Sequence, residues 1–257
     1  MIAAIALVDL DDTLFQTARK CPPGVPPAAL TPMASDKAGA PISFATPVQA
    51  AWTDWLLGSA LVIPVTGRSR DALGRVSLPY QYAIAAHGGV VLRPGGLVCP
   101  QWSALMAQGA AAHRSELDRL AALCTQLAQA AGEGDAIGVR IIGEQDAGLY
   151  VVAKHRDQTG GEPALHRLAA AAGEALPRGW TLHVNGNNVA LLPPFLGKRQ
   201  AAEFLLADLR ALYPGRPVLG MGDSVTDAPF MQLCDFAVVP GDTQLSAAIW
   251  RGLDAPA

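Results

Sequence analysis

The sequence predicts an α/β protein in which a parallel sheet with flanking helices carries an inserted α+β domain, and three observations predict it. Short apolar runs ending in Gly or Asp recur at 2–9, 60–67, 82–89, 217–223 and 236–241, as strands buried on both faces of a parallel sheet do. Helical periodicity lies between several of them, clearest over 198–213, where Ala202, Leu205, Leu206, Leu209 and Leu212 recur at three- and four-residue spacing. From about residue 90 to 194 the order changes to strands, helix and strands again, which marks a separate small sheet.

The run from Ile2 to Val8 lacks a basic leader and passes directly into Asp9, Asp11 and Asp12, so it reads as a buried strand and not as a secretion signal. Residues 18–47 hold seven prolines and few aromatics and read as an irregular excursion. In the insert, 113–131 reads as a helix with Leu117, Leu120, Leu123 and Leu127 on one face and Gly132 as its stop. Residues 138–142 and 148–154 form an expected antiparallel pair joined through the polar turn 143–147. A second helix opens with Pro163 in its first turn and runs to Leu176, and 180–184 and 188–192 flank the turn Asn185-Gly186-Asn187 as a hairpin. The expected division is a core of 1–89 and 194–257 around an α+β domain of 90–193.

At 257 residues, 51% hydrophobic and 16% charged, the chain is far from the profile of a disordered polymer. A net charge of -3 offers no long-range attraction to nucleic acid or to an anionic membrane, so neither is an expected partner. Cys21, Cys99, Cys124 and Cys234 form no C-x-x-C pair, and no spacing of the five histidines suggests a metal cluster. Thiols in a reducing compartment and the lack of an apolar run near eighteen residues make a cytoplasmic protein the expectation.

Chemistry concentrates where strands end. Asp9 and Asp11 lie two residues apart, so on an extended backbone both side chains project the same way. Thr66-Gly67-Arg68 and Gly222-Asp223-Ser224 also follow apolar runs, and ligands of open α/β sheets bind beyond the carboxyl ends of the strands. Each cluster has a plain reading by itself: Asp12 or Thr13 capping a helix, Thr66-Gly67 forming a turn, Lys198 opening a helix, Asp223 or Ser224 capping a short one.

Taken in order, Asp9-Leu10-Asp11-Asp12-Thr13, Val65-Thr66-Gly67-Arg68-Ser69, Lys198 and Gly222-Asp223-Ser224-Val225-Thr226-Asp227 resemble the four motifs of the haloacid dehalogenase superfamily. The insert resembles the C2 type of cap carried by the branch with sucrose-phosphate, trehalose-phosphate and mannosyl-phosphoglycerate phosphatases, and His87-Gly88-Gly89 stands where that branch often has Asn-Gly-Ala. The resemblance implies a Rossmann-like core with a C2-type cap. It also implies a Mg2+-dependent phosphohydrolase acting on a small phosphorylated metabolite, such as a sugar phosphate or a phosphoglycerate derivative.

In that reading Asp9 attacks phosphorus to form an aspartyl-phosphate, and Asp11 protonates the leaving alcohol and later deprotonates the hydrolytic water. Thr66, the Gly67 N–H and Lys198 hold the transferring phosphoryl group, and Arg68 adds a further phosphate contact. Magnesium takes the Asp9 carboxylate, the Asp11 carbonyl and the Asp223 carboxylate, while Asp227 orients Lys198 or a metal-bound water. The presence of Asp11 favours phosphoryl transfer over carbon-halogen cleavage, which needs no acid for its leaving group. A phosphosugar mutase of the same fold and a phosphate-ligand sensor without turnover are the alternatives.

Overall fold

The first apolar run becomes β1 (Ala4–Val8), with Ile5, Ala6, Leu7 and Val8 fully buried. In the computed structural model, which describes residues 2–144, 146–157, 160–186 and 188–253, it is followed by β2 (Gln16–Thr17), β3 (Thr31–Ser35) and β4 (Pro41–Ala45). Next comes α1 (Pro47–Ser59), which begins at a capping box in which Thr46 and Gln49 each bond the other's main chain. The chain continues through β5 (Ala60–Pro64), α2 (Arg70–Leu73), β6 (Ala83–Ala85), β7 (Val90–Arg93) and β8 (Leu97–Val98). A second unit, Pro100–Gly197, holds α3 (Pro100–Ala112), α4 (Arg114–Ala130), β9 (Ile137–Glu144), β10 (Ala147–His155), α5 (Glu162–Glu174), β11 (Thr181–Asn185) and β12 (Asn188–Leu192). The first unit resumes with α6 (Lys198–Leu212), β13 (Val218–Met221), α7 (Ala228–Met231), β14 (Phe236–Val238) and α8 (Gln244–Leu253).

The first unit is built on a parallel sheet of order β14-β13-β1-β5. β1 is an inner strand, paired with β13 from Ile5↔Val218 to Val8↔Met221 and with β5 from Ala4↔Ala60 to Val8↔Pro64, which is why its residues are apolar without alternation. Two expectations change here. The run 82–89 does not become a full parallel strand: β6 pairs antiparallel with β7 and meets the end of β5 through the single parallel bridge Val65↔Ile84. At the sheet edge, β14 exposes Phe236, so that run is not buried on both faces.

The pairing of β6 with β7, and a bond from the Cys99 N–H to the Val91 carbonyl at 2.9 Å, hold 90–99 in the first unit. The boundary read at 89/90 therefore falls at 99/100, and the one read at 193/194 falls at 197/198. The proline-rich excursion is not irregular throughout, because β2, β4 and β3 form a three-stranded antiparallel sheet. Its prolines are tolerated because Pro32 lies on the edge strand β3 and Pro41 opens β4.

The second unit has an antiparallel sheet of order β11-β12-β10-β9. Alternation sends Val151 and Ala153 of β10 and Val189 and Leu191 of β12 to one face. There they pack with Leu117, Leu120 and Cys124 of α4 and Leu165 and Leu168 of α5. α3 had no counterpart in the sequence reading, since its Ala-rich stretch carries little contrast between faces. Gln145 and Asn187, in the two expected turns, lie outside the described residues. No helix among the described residues is long and apolar enough to cross a membrane. Replacing the fully buried Leu120 by Ala should lower the unfolding free energy by about 2–5 kcal/mol through lost burial and a residual cavity. Urea titration checks this, and a loss below about 1 kcal/mol would mean that the helix face is not packed as described.

Candidate active site

The register of the parallel sheet assembles the site. With Val8 opposite both Met221 and Pro64, the carboxyl ends of β13, β1 and β5 finish side by side. The Asp9 N–H bonds the Met221 carbonyl at 2.9 Å and the Val65 N–H bonds the Val8 carbonyl at 2.8 Å. Asp9, Asp223 and Thr66, each next to a strand end, therefore emerge on one edge, where open α/β sheets bind ligands. Asp9, Thr66 and Asp227 are buried.

Lys198, the first residue of α6, joins two of the acids: its Nζ donates to Asp9 Oδ1 at 2.6 Å and to Asp227 Oδ1 at 2.7 Å. The other Asp227 oxygen accepts from the Ser224 N–H at 3.1 Å and from Ser224 Oγ at 2.7 Å. Gly222 permits this packing, since a Cβ there would overlap the Asp227 side chain. Thr13 Oγ1 donates to Asp223 Oδ1 at 3.2 Å and lies 3.5 Å from Asp9 Oδ2. Carboxylate oxygens of Asp9, Asp223 and Asp227 lie within 4.8 Å of one another.

Three carboxylates thus face one ammonium, and the imbalance shows in their protonation. Burial holds the Asp9 carboxyl well above its ordinary range against the pull of Lys198, with Asp227 and Asp223 adding to the rise. Asp223 is pushed up to about 6 by burial, by Asp227 and by Asp12. Burial opposes the charge of Lys198, but Asp9 and Asp227 outweigh it and keep the ammonium well above its usual value. The missing positive charge and the all-oxygen donor set fit a hard divalent cation such as Mg2+.

Asp11 is directed elsewhere. Arg68 grips it as a fork, Nε to Oδ2 at 2.7 Å and Nη2 to Oδ1 at 2.6 Å, and Nη2 also reaches Ser43 Oγ of β4 at 3.2 Å. The expectation that Asp11 projects alongside Asp9 thus meets a specific competitor. Asp12, at φ +64, turns the backbone at this point and pairs with Lys20. No helix follows, so Asp12 and Thr13 cap nothing, and Thr13 faces the acids. Thr66 Oγ1 accepts from the Arg68 N–H at 3.1 Å.

The N–H groups of Ala86 and His87 donate to the carbonyls of Arg68 and Thr66 at 2.6 and 3.1 Å, with both residues at positive φ. The His87 ring lies so close to Gly67 that a Cβ there would sit 2.5 Å from Cε1, so the loop requires glycine. Sequence reading had no signal for Ser43, which reaches Arg68 only through the fold of the proline-rich segment. Thr13 was legible as part of the first motif, but its bond to Asp223 spans 210 positions.

No protein-family model and no curated protein sequence matches the chain. Solved structures do. The sucrose-phosphatase of Synechocystis, solved with sucrose and phosphate, is 18% identical, with a TM-score of 0.55 over 100% of this chain and 90% of that one. An N-terminally truncated IMP-nucleotidase of Plasmodium falciparum gives 12%, 0.53, 98% and 70%, and the C-terminal domain of trehalose-6-phosphate phosphatase from C. albicans gives 15%, 0.51, 98% and 78%. At such identities the likeness establishes the fold: a Rossmann-like core of the haloacid dehalogenase type with an inserted C2-type cap.

Asp223 supplies a test of the electrostatics. Because the folded state holds its proton up to about pH 6 and the unfolded chain releases it near 3.8, its contribution to stability falls as pH rises through that window. Without divalent cation, Asp223→Asn should be more stable than the parent above pH 6, with the gap closing toward pH 4. Thermal melts across pH check this, and a gap independent of pH would contradict it.

Proposed function

We propose that this chain is a Mg2+-dependent phosphohydrolase that cleaves a small phosphorylated metabolite through an aspartyl-phosphate on Asp9. The observation that carries the reading is the buried Asp9 at the end of β1, bonded to Lys198 at 2.6 Å beside Asp223 and Asp227. A carboxylate can attack a phosphate dianion only if their repulsion is neutralised, and Lys198 with a divalent cation meets that need. Asp9 and Asp223, with the main-chain carbonyl of Asp11, would hold the cation. When bound, Mg2+ polarises the phosphoryl oxygens and screens their charge.

Both oxygens of Asp227 are engaged by Lys198 and Ser224, which suits it to orient the lysine. Lys198, confined by two carboxylates, contributes a fixed charge without reorganisation during the reaction. Thr66 Oγ1 and the Gly67 N–H hold the transferring group, with Arg68 as a further contact. Asp11 protonates the leaving oxygen and then activates water, for which it must part from the Arg68 fork; a phosphoryl oxygen is the natural competitor for that guanidinium.

Two of the solved structures of this fold are named as phosphatases of sugar phosphates and a third as a nucleotidase. A phosphate monoester of a small metabolite is accordingly the substrate class, with sugar phosphates and phosphoglycerate derivatives the first to test. Purified protein should release inorganic phosphate from members of an ester panel with Mg2+, and EDTA should abolish the release. Asp9→Asn should remove turnover, and Asp11→Asn should lower kcat by about 10²–10⁴-fold. Full activity in Asp9→Asn, or phosphorus NMR showing the ester rearranged without phosphate release, would defeat the hydrolase reading.

A further inference from the structure

The sheet of the second unit has one face packed against α4 and α5 and another whose polar residues the phosphatase reading does not use. Strand pairing defines that second face. Lys154 of β10 lies opposite Asn188 of β12, which lies opposite Asn185 of β11. In the next row Arg140 of β9 lies opposite Val152, and Val152 lies opposite Ala190. Since pleating sends residues i and i+2 to the same side, Arg140, Lys154, Asn185 and Asn188 share a face with the small floor of Val152 and Ala190. Their strand neighbours Val151, Ala153, Val189 and Leu191 are in the core on the opposite side.

The two cations are diagonal neighbours, within reach of each other's charge. Among the described residues neither is in an ion pair. Glu144 shares the face by alternation but lies four residues beyond Arg140, roughly 13 Å along the strand. Lys154 is half-buried, and burial followed by the charge of Arg140 lowers its pKa. A half-buried lysine beside an arginine is unfavourable without a counter-charge and becomes favourable when an anion sits between them. The amides of Asn185 and Asn188 add neutral donors in the adjoining row.

We propose that this face, through Arg140 and Lys154, binds a carboxylate group of the phosphate ester hydrolysed at Asp9, so that the substrate is a phosphorylated acid. The inference rests on the phosphohydrolase reading for the substrate, while the anion site itself can be tested alone. In amide spectra of the full chain, malonate should produce saturable shifts in residues 138–142, 150–154 and 188–190. Those shifts should vanish in Arg140→Gln/Lys154→Gln and persist in Lys154→Arg. Absence of saturable shifts on this face, or their survival in the double variant, overturns the site.

The second arm compares 3-phosphoglycerate with glycerol 3-phosphate, which differ at the carboxylate. The parent should favour the acid by tenfold or more in kcat/KM, Lys154→Arg should keep that preference, and the double variant should lose it. A preference that is missing, or that the double variant retains while malonate binding is lost, overturns the assignment to the substrate in favour of a free acid as ligand. If neither these esters nor a wider panel release phosphate while malonate still binds here, the reading of Asp9 fails and the anion site stands.

Discussion

The constraint on which the first unit's site depends is the burial of three carboxylates around one ammonium. Removing an ionised group from water costs several kcal/mol unless a partner compensates it. Lys198 compensates Asp9 and Asp227 directly, at 2.6 and 2.7 Å, but it cannot offset Asp223 as well. The pKa of Asp223 rises to about 6, and the cluster keeps a standing affinity for positive charge. The same excess that weakens the cation-free fold creates the place for a divalent ion, so stability and function are opposed at this edge.

The surrounding structure spends its local irregularities on holding that edge. Asp12, Ala86 and His87 all adopt positive φ, which L-residues with side chains avoid at a cost of the order of 1–2 kcal/mol each. The turn at Asp12 brings Thr13 against the acids. The pair at Ala86 and His87 bonds the main chain on either side of Gly67 and lays the imidazole against it, so the loop after β5 has little freedom. Strain at a functional edge is tolerated where the rest of the sheet over-determines the geometry, as the fully buried Ile5 to Val8 do here.

Arg68 links two parts of the chain that look unrelated. It clasps Asp11 and touches Ser43, so the three-stranded sheet of the proline-rich segment bears on the residue expected to move protons. A bidentate guanidinium favours the ionised carboxylate, whereas a general acid must start protonated. The arrangement therefore describes Asp11 at rest, and the arrival of a phosphoryl group is what would change its partner.

Much of this was legible in the residues. The apolar run before Asp9, the period of 198–213 and the strand pattern of 137–155 are local properties of side-chain chemistry, and they determined the α/β core, the helix that Lys198 opens and the α+β character of the insert. Motif order likewise marked Asp9, Thr66, Lys198, Asp223 and Asp227 before any distance was known. Tertiary structure decided what no local pattern encodes. Pairing of β6 with β7 moved the unit boundary to 99/100, Arg68 and Ser43 claimed the Asp11 carboxylate, and register placed Arg140 and Lys154 on one face. Periodicity reports how a segment meets water, which each segment settles for itself; which partner a buried charge finds depends on chain folded back from tens or hundreds of residues away.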